Sequence, residues 1–342
     1  LVGHDTGMTP LFQAKNLAKA LGVKELYVKD DSVNSPTFSF KDRVVAVAIS
    51  RAYEFGFRVM ACASTGNLGN SVASQSARVG LPCYIFVPSD IEKAKILSTQ
   101  IYGAHLVTVK GTYDEINRLC SEIGGRYKWG FANINIRPFY AEGSKTIGYE
   151  VLEQMGWKAP RHVVVPCAGG SLITKVWKSF KEFKQLGFID ELNCQIHAAQ
   201  GEGCSPIITA IHEGREIIRP VKPNTLAKSL AIGNPADGFY AVRTTKDSGG
   251  WGEKPTDEEI VDSIKLLART EGVFTETAGG VTLGAYRKLL ASGRIKPDES
   301  TVLMITGNGL KTQEAVSGSL PPPPVIEPRL ASFENMIRPD KN

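Results

Sequence analysis

Residues 35 to 43 read SPTFSFKDR and set Lys41 between two phenylalanines and an Asp-Arg pair, where a polar loop runs into a helical pattern. A lysine in that setting has a plain reading as a solvated surface charge. At a helix start, however, the positive dipole end disfavours a second positive charge, and a neutral amine is the form that attacks an aldehyde. Which reading holds depends on what else the chain brings to the same place.

Three glycine-rich turns follow strand-like runs and lead toward helices: ASTGNLGNS (63 to 71), PCAGGSL (166 to 172) and MITGNGLK (304 to 311). In open α/β sheets ligands bind beyond the carboxyl ends of strands, where helix N-termini offer unpaired N–H groups. The second turn, Ala168, Gly169, Gly170, Ser171 and Leu172, is either a plain tight turn or a cradle whose N–H groups point at a phosphate. In the first, Asn67 either caps the next helix or lays its amide against a flat ring, with Ser64 and Thr65 supplying hydroxyls. No G-x-x-x-x-G-K-[ST] and no G-x-G-x-x-G occurs, so a phosphorylated ligand other than a nucleotide is favoured.

The elements that must position these turns alternate. Strand runs ELYVK (25 to 29), RVMACAS (58 to 64), PCYIFVP (82 to 88), HLVTVKG (105 to 111), HVVVPCAGG (162 to 170), QIHAAQG (195 to 201) and STVLMITGNG (300 to 309) are separated by helical patterns. These patterns start at Lys41, Asn70, about Ile91, Tyr113 and Leu172, and the order argues for parallel sheets with crossovers. Residues 233 to 257, rich in glycine and turn formers, are expected to be a long loop or short hairpin. The tail from Ser317, with LPPPPVIEPR, is expected to be extended or disordered. His162 and His197 lack an acid at a recognisable spacing and read as structural. Glu276 reads either as a helix-start acid or as a group at a ligand's face.

Composition narrows the partners. The 342 residues are 42% hydrophobic, and a net charge of +5 is spread over 40 basic and 35 acidic side chains without a basic block. Nucleic acid is excluded as an expectation. Six scattered cysteines form no C-x-x-C pair, which gives no metal site and fits free thiols in a reducing compartment. No apolar run nears the roughly 20 residues of a membrane span. The segment LVGHDTGMTP has no charged-then-apolar leader pattern, and a cytoplasmic protein is expected.

In chain order, SPTFSFKDR, ASTGNLGNS, PCAGGSL and ITGNGLKT resemble the fold type II pyridoxal-phosphate enzymes, a tryptophan synthase β-like α/β fold, and among them most the threonine synthase family. TGMTPLFQAKNLAKALG, YAEGSKTIGYEV (140 to 151) and ETAGGVTLGAYRKL (276 to 289) extend the likeness over most of residues 6 to 316. The resemblance implies two open parallel-sheet domains: a large one of residues 1–32 and 136–316, a smaller one of 33–135 inserted in it, and a proline-rich tail of 317–342. The cofactor, pyridoxal 5′-phosphate, would lie between them.

Carried over residue by residue, Lys41 is the lysine that joins the cofactor and moves protons. Asn67 faces the cofactor's 3′ oxygen, the backbone of Ala168 to Leu172 holds its phosphate, and Thr306 faces the ring nitrogen. A hydroxyl there favours elimination and replacement over transamination. The implied reaction converts O-phosphohomoserine and water to threonine and phosphate, and a homodimer is the implied assembly. A dehydratase of the same fold, or a non-catalytic binder of a phosphorylated metabolite, are the alternatives.

Four positions depart from the family pattern. Leu68 stands where a threonine binds the substrate phosphate, and Asn135 and Tyr140 stand where a serine and an arginine do so. Arg137, Ser144 and Lys145 are the candidates to replace them. Phe38 replaces the glycine ahead of Ser-Phe-Lys, which implies a bulky ring beside Lys41.

Overall fold

The computed structural model describes residues 2–64, 66–89, 93–111 and 113–337. Among these residues ten strands form: β1 (Leu11–Gln13), β2 (Leu26–Asp30), β3 (Met60–Ala63), β4 (Cys83–Pro88), β5 (His105–Val109), β6 (Gly130–Phe131), β7 (His162–Pro166), β8 (Gln195–Ala199), β9 (Gly252–Glu253) and β10 (Thr301–Ile305). They build a six-stranded sheet in the order β1-β2-β10-β7-β8-β9 and a four-stranded sheet in the order β5-β4-β3-β6. Every pairing is parallel except β1 with β2.

Continuous apolar runs become central strands because helices cover both faces of a parallel sheet. Side chains alternate across the strand. In β7, Val163 and Val165 therefore join one core cluster and Val164 the other. In β3, Met60 and Cys62 pack on one side and Ala61 and Ala63 on the opposite one. All six cysteines are buried free thiols. No helix among the described residues is long and apolar enough to cross a membrane.

Three of the five expected helices lie where the periodicity puts them, Lys41–Glu54, Tyr113–Arg126 and Ser171–Gln185, and the start expected at about Ile91 lies outside the described residues. Three expectations are corrected. The helix expected from Asn70 starts at Asn67, so Asn67 is a helical residue and not its cap. The region 233 to 257 is not a loop or hairpin throughout. It holds the helix Gly238–Asp247, which buries Ala241, Val242 and Thr245 at helical spacing, and β9. Its glycines and prolines bracket the helix and masked that spacing. The tail carries a helix, Leu330–Ile337, once the prolines are passed, since proline bars helix only from its own neighbourhood.

His162 and His197 do find an acid. His162 Nδ1 lies 3.0 Å from His197 Nε2, and His162 Nε2 lies 3.1 Å from Glu299 Oε2. His162 is the first residue of β7, at the end opposite its glycine turn, and His197 lies in the middle of β8. Burial pushes His197 down to about 3, so the pair stays neutral and structural near pH 7.

Candidate active site

The neighbours of Lys41 explain its position. Asp42 accepts from Thr37 N at 2.9 Å and from Thr37 Oγ1 at 2.7 Å, folding the preceding loop onto the helix start. Arg43 points into the body of the molecule, where its guanidinium binds Asp31 and Glu150 and donates to Thr9 Oγ1. Lys29 donates to Glu150 Oε2 at 2.6 Å, the oxygen that also accepts from Arg43 Nη2 at 2.7 Å. Two fully desolvated cations against two carboxylates make a buried network that tolerates no missing member. With its flanks fixed in this way, Lys41 is directed elsewhere. Its Nζ donates to Tyr140 Oη at 2.8 Å, with the Phe40 and Tyr140 rings 5.6 and 5.5 Å away.

Tyr140 lies on the helix Arg137–Gly143. A Cβ at Gly143 would come 2.8 Å from Val44 Cα, so glycine lets this helix cross the Lys41–Glu54 helix closely enough for the two side chains to meet. Phe38 does not wall the lysine. It keeps the left-handed backbone that glycine favours, φ 59°, and its ring is half exposed, so Phe40 is the ring beside the amine.

The third turn is stitched to the lysine segment. Phe40 N donates to Thr306 O, Asn308 N donates to Phe38 O at 3.1 Å, and Ser39 and Gly307 form a bridge. Thr306 is thereby brought beside Lys41, buried at 8% exposure.

The first turn meets the third through charge. Asn67 Nδ2 donates to Glu276 Oε2 at 2.9 Å, while Asn67 Oδ1 accepts from Lys311 Nζ at 2.9 Å. Burial pushes the Glu276 carboxyl up, against the Asn67 hydrogen bond and the charges of Lys311 and Lys41. Burial pushes the Lys311 amine down, against Glu276 and Asp42. A second amine and a carboxylate therefore flank Asn67. Lys311 went unassigned in the sequence; its one signal there is that it follows the third glycine-rich turn directly, at the end of the short 3-10 turn Gly309–Lys311. Ser64 sits just before the Asn67 helix, and Thr65 lies outside the described residues.

The second turn has the shape of an anion cradle. Gly170 takes φ 93°, a left-handed conformation only glycine adopts readily, and a Cβ there would lie 2.7 Å from Asp237 O. A Cβ at Gly169 would meet no atom within 4 Å. Ala168 and Leu172 complete the turn, and Ser171 opens a 15-residue helix whose first N–H groups and dipole favour an anion. Beside it Arg137 Nη2 donates to Asp237 Oδ2 at 2.8 Å. Arg137, Pro138, Ser171, Thr174, Asp237 and Tyr240 line a cavity of about 460 Å³.

The other candidates are engaged elsewhere. Lys145 is tied to Glu142 and Glu182, and Ser144 is buried at the junction of two helices. Leu68 packs into the core. Asn135 accepts from Phe131 N and donates to Trp129 O, closing its own loop.

Pyridoxal phosphate requires an amine for its aldehyde, a cradle for its phosphate and polar groups at its ring. Lys41, the Ala168 to Leu172 turn, and Asn67 with Thr306 fit those needs. Such a constellation between parallel sheets defines a fold type II pyridoxal-phosphate enzyme. Residues 2–307 match the family model described as pyridoxal-phosphate dependent enzyme, and the chain belongs to that family; its cofactor is pyridoxal 5′-phosphate.

Among relatives, the chain is 41% identical over 323 residues to the threonine synthase of Methanocaldococcus jannaschii, covering 94% of this chain and 79% of that one. It is 36% identical to the threonine synthase of Methanosarcina acetivorans, with 97% and 82% covered. The fold is similar to threonine deaminase isoform 2 of Solanum lycopersicum, TM-score 0.76 at 23% identity over 92% of this chain and 84% of that one. Maize serine racemase gives a TM-score of 0.74 at 20% identity, with 90% of each chain covered.

Proposed function

We propose that this chain is a threonine synthase, a pyridoxal-phosphate-dependent lyase that converts O-phospho-L-homoserine and water to L-threonine and phosphate. The observation that carries the reading is the 41% identity to an enzyme of that name, sustained over 94% of the chain. When bound, the cofactor supplies an electron sink for negative charge at the substrate's Cα.

The chain's own residues do the rest. Lys41 Nζ would take the proton from Cα, hand that proton on so that it is again a neutral amine, and then take one from Cβ, since both protons can lie on one face within reach of a single base. The N–H groups of the Ala168 to Leu172 turn would hold the cofactor phosphate, and Asn67 and Thr306 would orient its ring. Arg137 clamps the substrate phosphate as a planar two-pronged donor. Phosphate leaves from Cγ and water adds at Cβ.

The residues 33–135, which hold β3 to β6, are the smaller inserted domain of this reading. Residues 1–32 and 136–316 make the larger domain, followed by the tail of 317–342. The substrate is a small phosphorylated amino acid. A homodimer and a cytoplasmic location complete the proposal, the latter supported by six buried free thiols.

The test is to incubate the protein with O-phosphohomoserine and measure phosphate and threonine, with borohydride reduction to fix the cofactor on Lys41. Leu68 and Asn135 favour one second reading, a threonine or serine dehydratase, because neither is placed to bind a substrate phosphate. Release of 2-oxobutyrate from threonine, with no phosphate from phosphohomoserine, selects that reading and overturns the first.

A further inference from the structure

Tyr140 occupies a place that the reaction described above leaves without a role. Its hydroxyl is the partner of Lys41 Nζ at 2.8 Å. In that bond the amine donates and the phenol oxygen accepts, so the phenol's own hydrogen remains available to an acceptor. No acceptor among the described residues takes it. The ring is anchored in the core on one side, and the close crossing at Gly143 fixes its height above Lys41.

Arg137 precedes Tyr140 by three positions, which puts the two side chains on one face of the helix Arg137–Gly143, one turn apart. A substrate whose phosphate is held by Arg137 and whose Cα and Cβ stand over Lys41 must therefore run its Cγ–O bond past the Tyr140 hydroxyl.

We infer that Tyr140 is a catalytic residue: a proton carrier from Lys41 to the departing phosphate. The inference rests on the reading of the reaction given above. After Lys41 has taken a proton from the substrate carbon it is an ammonium. As the Cγ–O bond breaks, both electrons of that bond go to the ester oxygen. The phenol's hydrogen passes to this oxygen, and an ammonium proton passes to the phenol oxygen in its place. Lys41 ends as a neutral amine, Tyr140 as a neutral phenol, and phosphate leaves with the proton that came from carbon. No oxidant or further reactant is needed. One hydroxyl thus resets the base and assists the leaving group together, which a guanidinium at this position could not do because it does not give up its proton.

The proposal is tested by pairing Tyr140→Phe with two substrates that differ only in leaving group, the phosphate ester and the sulfate ester of homoserine. Phenylalanine keeps the ring. The variant is first checked for an unchanged melting temperature, unchanged cofactor affinity by spectral titration, and full borohydride fixation at Lys41. Phosphate release is expected to lose roughly 100-fold or more in kcat, the range for a lost general acid, with little change in KM. Sulfate is a weak base that departs without a proton, and its release is expected to stay within about twofold of the parent.

Equal losses with both esters, or no loss with either, overturn the relay and leave Tyr140 as a residue that at most positions Lys41. Loss of cofactor fixation in the variant also overturns it, since Tyr140 then serves the cofactor link. A parent enzyme that releases no phosphate overturns the substrate assignment and the relay together, which separates that failure from failure of the relay alone.

Discussion

The amide of Phe40 donates to the carbonyl of Thr306 at 2.9 Å, across 266 positions of the chain. This bond, with the Ser39–Gly307 bridge beside it, makes the lysine-bearing helix start and the third glycine turn a single piece of structure. Gly307 is needed in that piece for space, because a Cβ there would lie 2.4 Å from Glu276 Oε1. Gly307→Ala must displace Glu276 and with it the Asn67 amide. The expected result is at least about a tenfold loss of cofactor affinity in a spectral titration, the equivalent of one good hydrogen bond, with the circular dichroism of the chain unchanged.

The two glycines of the cradle separate affinity from stability. At Gly170 an alanine meets both a left-handed backbone, costing about 1–2 kcal/mol, and the carbonyl of Asp237. Gly170→Ala is expected to lower the melting temperature of the cofactor-free chain. Gly169→Ala should leave that temperature alone, since its Cβ meets no protein atom, while weakening pyridoxal-phosphate binding where the phosphate approaches the backbone. Equal melting temperatures for the two variants would contradict this division.

Arg137 is held by Asp237 at a half-exposed site and is proposed to exchange that partner for the substrate phosphate. Arg137→Ala is expected to raise KM for O-phosphohomoserine about 10- to 100-fold, as for a lost hydrogen bond between charged groups, and to change kcat far less. Inhibition by inorganic phosphate should weaken in parallel. A fall in kcat at constant KM would place Arg137 outside the binding of substrate.

Lys41 and the Ala168 to Leu172 turn could be singled out as candidates in the sequence because both carry local signals: a lysine at a helix start, and glycines between a strand and a helix. The helix Gly238–Asp247 was not legible, since composition averaged over its glycine-rich flanks hid the buried Ala241 and Val242. Tyr140 was legible only as a missing arginine. Its bond to Lys41 arises from a helix crossing at Gly143, a contact spanning 99 positions that no local pattern encodes. Glu276 and Lys311 meet over Asn67 for the same reason. The acid partner of His162, Glu299, lies 137 positions away, so a spacing rule could not find it.

The network behind Lys41 predicts how the protein fails in acid. Burial alone would raise the carboxyl of Glu150, but the hydrogen bonds and charge of Arg43 and the charge of Lys29 hold it at about 2, below the ordinary 4.5. A carboxylate depressed in the folded state gives stability that is complete above its unfolded value and disappears as pH falls through the folded one. The urea midpoint of the parent should therefore decline between pH 4.5 and about 2, as Glu150 takes up its proton on unfolding. Glu150→Gln keeps the shape and removes the charge, leaving Arg43 and Lys29 with less counter-charge in a buried site. Breaking such a set costs about 3–5 kcal/mol, so the variant should be destabilised at pH 7. Its midpoint should also fall less steeply below pH 4.5, because the titrating group is gone. Parallel pH curves for parent and variant would show that Glu150 does not carry the acid limb.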